Sequence, residues 1–487
     1  MFRRFIFKVH RITGTAIAAF FLMWFVTGVV LLYHDYPKVS DRELREHLEV
    51  LPLLLPDVGE VTSSLPDSVE SLTLRMFQGQ ALFEAQSGDS SVIFCADTTQ
   101  KPLPITYLSA EREARKWVDA PVVAVDTLHE RVQWILYSRY EKELPIYRFR
   151  FGDAQKHEVF VSSRTAEVQQ VTTLSERVWA WLGAIPHKLY FPFIRKDADV
   201  WKWTITVGGA FCLLAALSGA YVGVDMLLRH RRQKKRWGSP YRRFTWKWHH
   251  LLGLVFGIFI IAWGLSGMMA MQKIPQWLVP VKAKGELKDA EPMATGMLSL
   301  NDYRLDYRLL RQTYPELKQV EWTSVGGKPV YRIVDGKKER CIDAGGEKPK
   351  ELKLTAKDVE AAVVRLHGSD RKISVSLMNE YDEYYLSRSG MRALPVYKID
   401  VDDEDHTTYY INPANGDTRS YTDNKRVRKW VFSGIHYLNV KWLVERPVLW
   451  TIVIWLLCIG GTIVSLTGTI MGVKYLRRTF GRKGKKK

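Results

Sequence analysis

The chain has 487 residues, 46% of them hydrophobic, only four cysteines, and a formal net charge of +19. So few cysteines exclude a disulfide-stapled scaffold. The charge suggests nucleic-acid binding until it is located: residues 1–11 hold four Lys/Arg, 229–247 nine and 474–487 eight, with no Asp or Glu among them, which leaves −2 for the rest. Basic blocks beside apolar runs follow the positive-inside rule, so no nucleic-acid partner is expected. Contact with anionic lipids is expected for the loop and the tail.

Residues 1–34 make the first membrane segment. His10-Arg11-Ile12-Thr13-Gly14 opens the apolar run Ile12–Leu32, and a bilayer needs about 20 such residues. A basic start before an apolar run resembles a signal peptide. This run is longer than a usual signal core and lacks a convincing cleavage site before His34-Asp35-Tyr36-Pro37, so it is read as retained. Residues 35–198 are polar, with alternating strand signals at Ala81–Ala85, Val92–Phe94, Tyr147–Phe151 and His157–Val161, and a helix predicted over Ser109–Val118. The aromatic stretch Val178–Leu182 then leads to His187, a composition suited to the membrane–water boundary.

The second membrane segment, 199–229, contains the run Trp201–Leu228, and a basic loop, 230–247, follows. His249-His250-Leu251-Leu252-Gly253 opens the third, 248–272, with the run Leu251–Met271. Residues 273–446 are polar again. Strand signals occupy Pro329–Ile333, Arg340–Ile342, Tyr397–Val401 and Thr408–Asn412, with an Asn415-Gly416 turn, and Thr355 is the N-cap of a helix reaching Leu366. Trp430-Val431-Phe432 leads to His436, and the last segment, 447–475, contains Val448–Val473 before the tail 476–487. Each polar stretch reads as two small α+β units in tandem. Both termini are expected in the cytoplasm and both polar stretches outside it. Cys212 and Cys458 read as packing residues. Cys95-Ala96-Asp97 and Cys341-Ile342-Asp343 occupy matching places, which leaves a bridge or two buried thiols open.

The two halves repeat one another. From Gly14 to Gly28 is 14 positions, and from Gly253 to Gly267 is 14; from His187 to Gly219 is 32, and from His436 to Gly468 is 32. The fold class is therefore a membrane α-helical protein of four transmembrane helices, a two-fold internal repeat, with two exported α+β domains. Repeats related by an axis along the membrane normal set equivalent residues at equal depth. His10 and His249 would then face each other near the cytoplasmic surface, and His187 and His436 near the outer one. Two imidazoles on one iron make a six-coordinate haem suited to electron transfer. The expectation is two b-type haems, with Gly28, Gly219, Gly267 and Gly468 thinning the helices around them. His250 is the alternate to His249, and His34 an auxiliary at the outer site. No Cys-x-x-Cys-His, P-loop, dinucleotide fingerprint or His-Glu-x-x-His motif occurs.

The His-Arg-x-x-Gly start, the Thr27-Gly28 pair, the aromatic segment with His187 and the hairpin-like exported modules resemble the PepSY-associated transmembrane helix family. The resemblance covers nearly the whole chain and implies PepSY-like exported domains in a bacterial inner-membrane protein linked to iron uptake. Some such proteins are di-haem ferric-siderophore reductases, and others carry a fused flavoprotein reductase. About a dozen residues follow the last apolar run here, so the donor stays open among quinol, reduced flavin and a separate flavoprotein. The resemblance thus implies reduction of a periplasmic ferric siderophore or similar chelate. Two other readings remain: a non-catalytic protein binding a peptide, a peptidase or a partner, and a chelate transporter. The scarcity of charge inside the apolar runs weighs against the transporter.

Overall fold

The computed structural model describes residues 1–59, 69–88, 90–97, 99–283 and 291–481. Four helices in it are long and apolar enough to cross a membrane: α1 (Phe2–Leu31), α2 (Ala198–Lys234), α3 (Phe244–Met269) and α4 (Pro447–Gly481). They close into a ring in which α1 packs on α2 and α4, and α3 packs on the same two. Val255, Ile258, Val448 and Ile452 are exposed on the outside of this ring, as a lipid-facing surface requires. Hydroxyls within the apolar helices bond to carbonyls one turn back, Thr13 to Val9, Thr27 to Met23 and Ser465 to Gly461, so these hydroxyl hydrogens are not offered to lipid. The helices overrun the apolar runs at their basic ends. α1 starts at Phe2 rather than Ile12, and α2 continues to Lys234 with three basic residues in its last turn. Cations there complement the negative end of the helix dipole.

The polar stretches hold three antiparallel sheets. In the first stretch lie β1 (Ser71–Phe77), β2 (Gln80–Ser87), β3 (Ser90–Cys95), β4 (Val122–Leu128), β5 (Ile146–Phe151), β6 (Glu158–Ser162) and β7 (Val168–Thr172). In the second lie β8 (Leu317–Val325), β9 (Lys328–Asp335), β10 (Lys338–Asp343), β11 (Ile373–Met378), β12 (Val396–Val401), β13 (Thr408–Ile411) and β14 (Thr418–Tyr421). Strands β4–β7 form one four-stranded sheet and β11–β14 another, each in chain order. The capped helix Tyr107–Arg115 packs on the first and Ala356–His367 on the second. Thr355 caps the latter, with Asp358 closing the capping box.

The third sheet departs from the tandem-unit expectation. Its order is β10-β9-β8-β1-β2-β3, so one unit of each stretch is fused with its counterpart. The seam is an antiparallel pairing of β1 with β8, Leu72 opposite Trp322 and Leu74 opposite Val320. Leu72, Leu74, Phe83, Trp322 and Tyr331 are fully buried in its core. This sheet also answers the question of a bridge. Cys95 and Cys341 lie on its two outermost strands, five interstrand steps or about 24 Å apart, far beyond disulfide reach, and both are buried free thiols.

Candidate functional site

His187 ends a short helix, Ala184–Lys188, whose first neighbour Gly183 passes so close to α1 that an added Cβ would lie 2.8 Å from Val30 Cγ1. His436 follows a single π-helical turn, Lys429–Gly434. Two residues beyond each histidine the backbone turns left-handed, at Leu189 (φ 52°) and Leu438 (φ 51°), and leads away toward α2 and α4. His187 and His436 face each other with ring centres 6.3 Å apart. His10 on α1 and His249 on α3 do the same, also at 6.3 Å. Two imidazoles bound from opposite sides to one metal at about 2 Å, each ring centre about 1.1 Å behind its nitrogen, have centres about 6 Å apart.

The proton positions follow from the neighbours. His10 Nδ1 donates to the Ala215 carbonyl at 3.1 Å and His249 Nδ1 to the Val464 carbonyl at 3.0 Å. His187 Nδ1 donates to the Trp24 carbonyl at 3.1 Å. Ser266 gives its own hydroxyl hydrogen to the Trp263 carbonyl, so its oxygen accepts from His436 Nδ1 at 3.0 Å. A carbonyl can only accept, so each ring carries its hydrogen on Nδ1 and keeps a lone pair on Nε2. Among the described residues no Nε2 of the four has a hydrogen-bond partner. No group of three or more His, Cys, Asp or Glu that could hold a metal occurs among them.

Glycine makes room for the rings. A Cβ on Gly219 would lie 2.7 Å from His10 Cε1, one on Gly28 3.0 Å from His187 Cε1, and one on Gly468 3.3 Å from His249 Cε1. Gly267 differs: nothing lies within 4 Å of its added Cβ, and it opens instead onto a cavity of about 600 Å³ beside His187 and His436. Three of the four glycines thus admit an imidazole rather than a flat cofactor face. Trp24 also lines this cavity, and among the described residues its buried Nε1–H has no acceptor. The corresponding N–H of Trp263 is taken by the His436 carbonyl at 3.1 Å. On α1, His10 and Gly28 are 18 positions apart, about 27 Å along a helix. Phe25 sits between them, 5.4 Å from the Trp263 ring.

The two alternate histidines have other neighbours. His250 donates from Nε2 to the Gly223 carbonyl at 2.9 Å and accepts at Nδ1 from the Ser239 hydroxyl at 3.1 Å, leaving no lone pair for a metal. His34 stacks on Trp179 with centres 4.2 Å apart and is not among the residues lining the outer cavity. Glu383, from the loop between β11 and β12, brackets the His436 segment. It pairs with Lys429 Nζ at 3.3 Å and accepts from the Lys441 backbone N–H at 3.1 Å. Burial pulls the Lys429 ammonium below the usual lysine value, against the opposing pull of Glu383.

A family model described as the PepSY-associated TM region matches residues 95–471. The chain belongs to the PepSY-associated TM family. The matched span includes His187, His249 and His436 and leaves His10 outside it. No curated protein matches the chain.

One signal in this PepSY-associated sequence was readable and was missed. Each histidine is followed 14 positions later by tryptophan: His10 by Trp24, His187 by Trp201, His249 by Trp263 and His436 by Trp450. Trp201 donates to the Lys188 carbonyl at 2.7 Å and Trp450 to the Tyr437 carbonyl at 3.0 Å, each fixing the residue just after a histidine. The fixed spacing from the four histidines would have found all four indoles.

Proposed function

We propose that this PepSY-associated membrane protein carries electrons through two b-type haems to a ferric siderophore or similar chelate at its outer face. One observation carries the reading: two histidine pairs at opposite ends of one bundle, each with ring centres 6.3 Å apart and, among the described residues, Nε2 unpartnered. His10 and His249 would hold the inner group, His187 and His436 the outer one. Each haem, held by two imidazoles, supplies a one-electron carrier with no position open to oxygen. The chain does the rest. The Ala215, Val464 and Trp24 carbonyls and the Ser266 hydroxyl hold the tautomer and aim Nε2 inward. Glycine at 28, 219 and 468 lets the rings sit at that depth. Among the described residues, the lining of the outer cavity contains no Asp or Glu.

In this reading the protein lies in a bacterial inner membrane with both termini cytoplasmic. The basic blocks support that orientation. The donor is quinol, reduced flavin or a flavoprotein meeting the basic face. The test is the visible spectrum and haem content of purified full-length protein, followed by rapid mixing of the reduced protein with ferric chelates. Two haems per chain with bis-histidine spectra, reoxidised by ferric chelates, are expected. Colourless protein from haem-replete cells would end the proposal.

A further inference from the structure

We propose that Arg388 binds a carboxylate at the mouth of the outer cavity. Two charged residues line that cavity, Lys188 and Arg388. Lys188 already pairs with Asp35 at 2.6 Å. Arg388 is exposed, and among the described residues it has no ion-pair or hydrogen-bond partner; its guanidinium lies 4.2 Å over the Trp450 ring. Trp450 in turn holds the Tyr437 carbonyl beside His436. A guanidinium stacked on an indole has its face covered and its N–H edge free, the form that takes a planar carboxylate through two hydrogen bonds.

The other half shows the corresponding arginine engaged differently. Trp201 and Trp450 are 249 positions apart, as are His187 and His436. The same offset relates Ser138-Arg139 to Ser387-Arg388. Arg139 donates to the Tyr140 hydroxyl at 2.8 Å and lies 4.8 Å over its ring. Trp201 is covered by a different guanidinium, that of Arg195 at 4.4 Å. In the first half, then, the arginine, also exposed, is held by Tyr140 of its own domain. In the second it is carried to the cavity and left with a free edge.

Two sources would supply the carboxylate: the propionate edge of a haem held by His187 and His436, which rests on the function proposed above, or a carboxylate of the chelate itself. Full-length wild-type protein, Arg388→Gln, Arg388→Lys and Arg139→Gln distinguish them. The first measurement is a redox titration with haem content. The second is calorimetric binding of ferric citrate, compared with a ferric trihydroxamate that lacks carboxylates. A propionate contact predicts that Arg388→Gln lowers the potential of one haem only, with Arg388→Lys between. A chelate contact predicts roughly tenfold to hundredfold weaker ferric citrate binding with the trihydroxamate unaffected. Arg139→Gln should change neither. If Arg388→Gln alters neither the potential nor citrate binding, the proposal is wrong. Haem-free wild-type protein would sink the haem reading alone, and the citrate measurement would then decide Arg388 by itself.

Discussion

At the scale of single residues, the site depends on what stands opposite each imidazole edge. Gly219 and Gly267 make the sharpest contrast. A methyl group on Gly219 would press on His10 at 2.7 Å, whereas one on Gly267 meets nothing. Gly219→Ala should displace the His10 ring at about 1–3 kcal/mol of overpacking and lower inner-haem occupancy, while Gly267→Ala, whose methyl would point into the outer cavity, should leave the inner haem in place. Haem content and the reduced spectrum read this directly, and equal loss from both variants would refute it. Removing a ligand is a harsher version. His436→Ala or His187→Ala should reduce two haems per chain to one and stop reduction of external ferric chelates. His250→Ala should keep both haems, since its nitrogens are engaged by Gly223 and Ser239.

At the scale of elements, the apolar runs and the paired histidines were legible because both are local or strictly periodic features. Helix ends were less so: basic residues prolong α1 and α2 past the hydrophobic run, and hydropathy is blind to that. The β1–β8 seam was not legible. Alternation in Leu72, Leu74 and Val320, Trp322 says which face is buried, not which strand lies alongside. Arg388 was passed over because a lone arginine in a loop has no pattern until its partner tryptophan is known. Two predictions belong here. Trp322→Ala empties the centre of the shared sheet and should cost about 3–5 kcal/mol, measured by denaturant unfolding of the purified protein. Glu383→Ala removes the bracket on the turn before His436. It should loosen the outer haem selectively, visible as faster haem transfer to an apoprotein acceptor, with the inner haem retained.

At the scale of the whole molecule, the orientation proposed from the basic blocks can be tested directly. A protease confined to the periplasm should cut within 35–198 or 273–446 and spare a tag at the C-terminal end; digestion of the tag would invert the arrangement. The joined sheet has a consequence of a different kind. Antiparallel pairing of two corresponding strands is the contact that a two-fold axis produces between identical subunits. Each half alone would offer β1 or β8 as a bare edge, ready to pair with a second copy of itself. Tethering the halves through the loop after α2 turns that association into a first-order event, independent of how dilute the protein is in its membrane. Covalent linkage also frees the two sides from sharing one sequence. The divergent fates of Arg139 and Arg388 are the kind of asymmetry that a pair of identical chains, bound to a common gene, can never acquire.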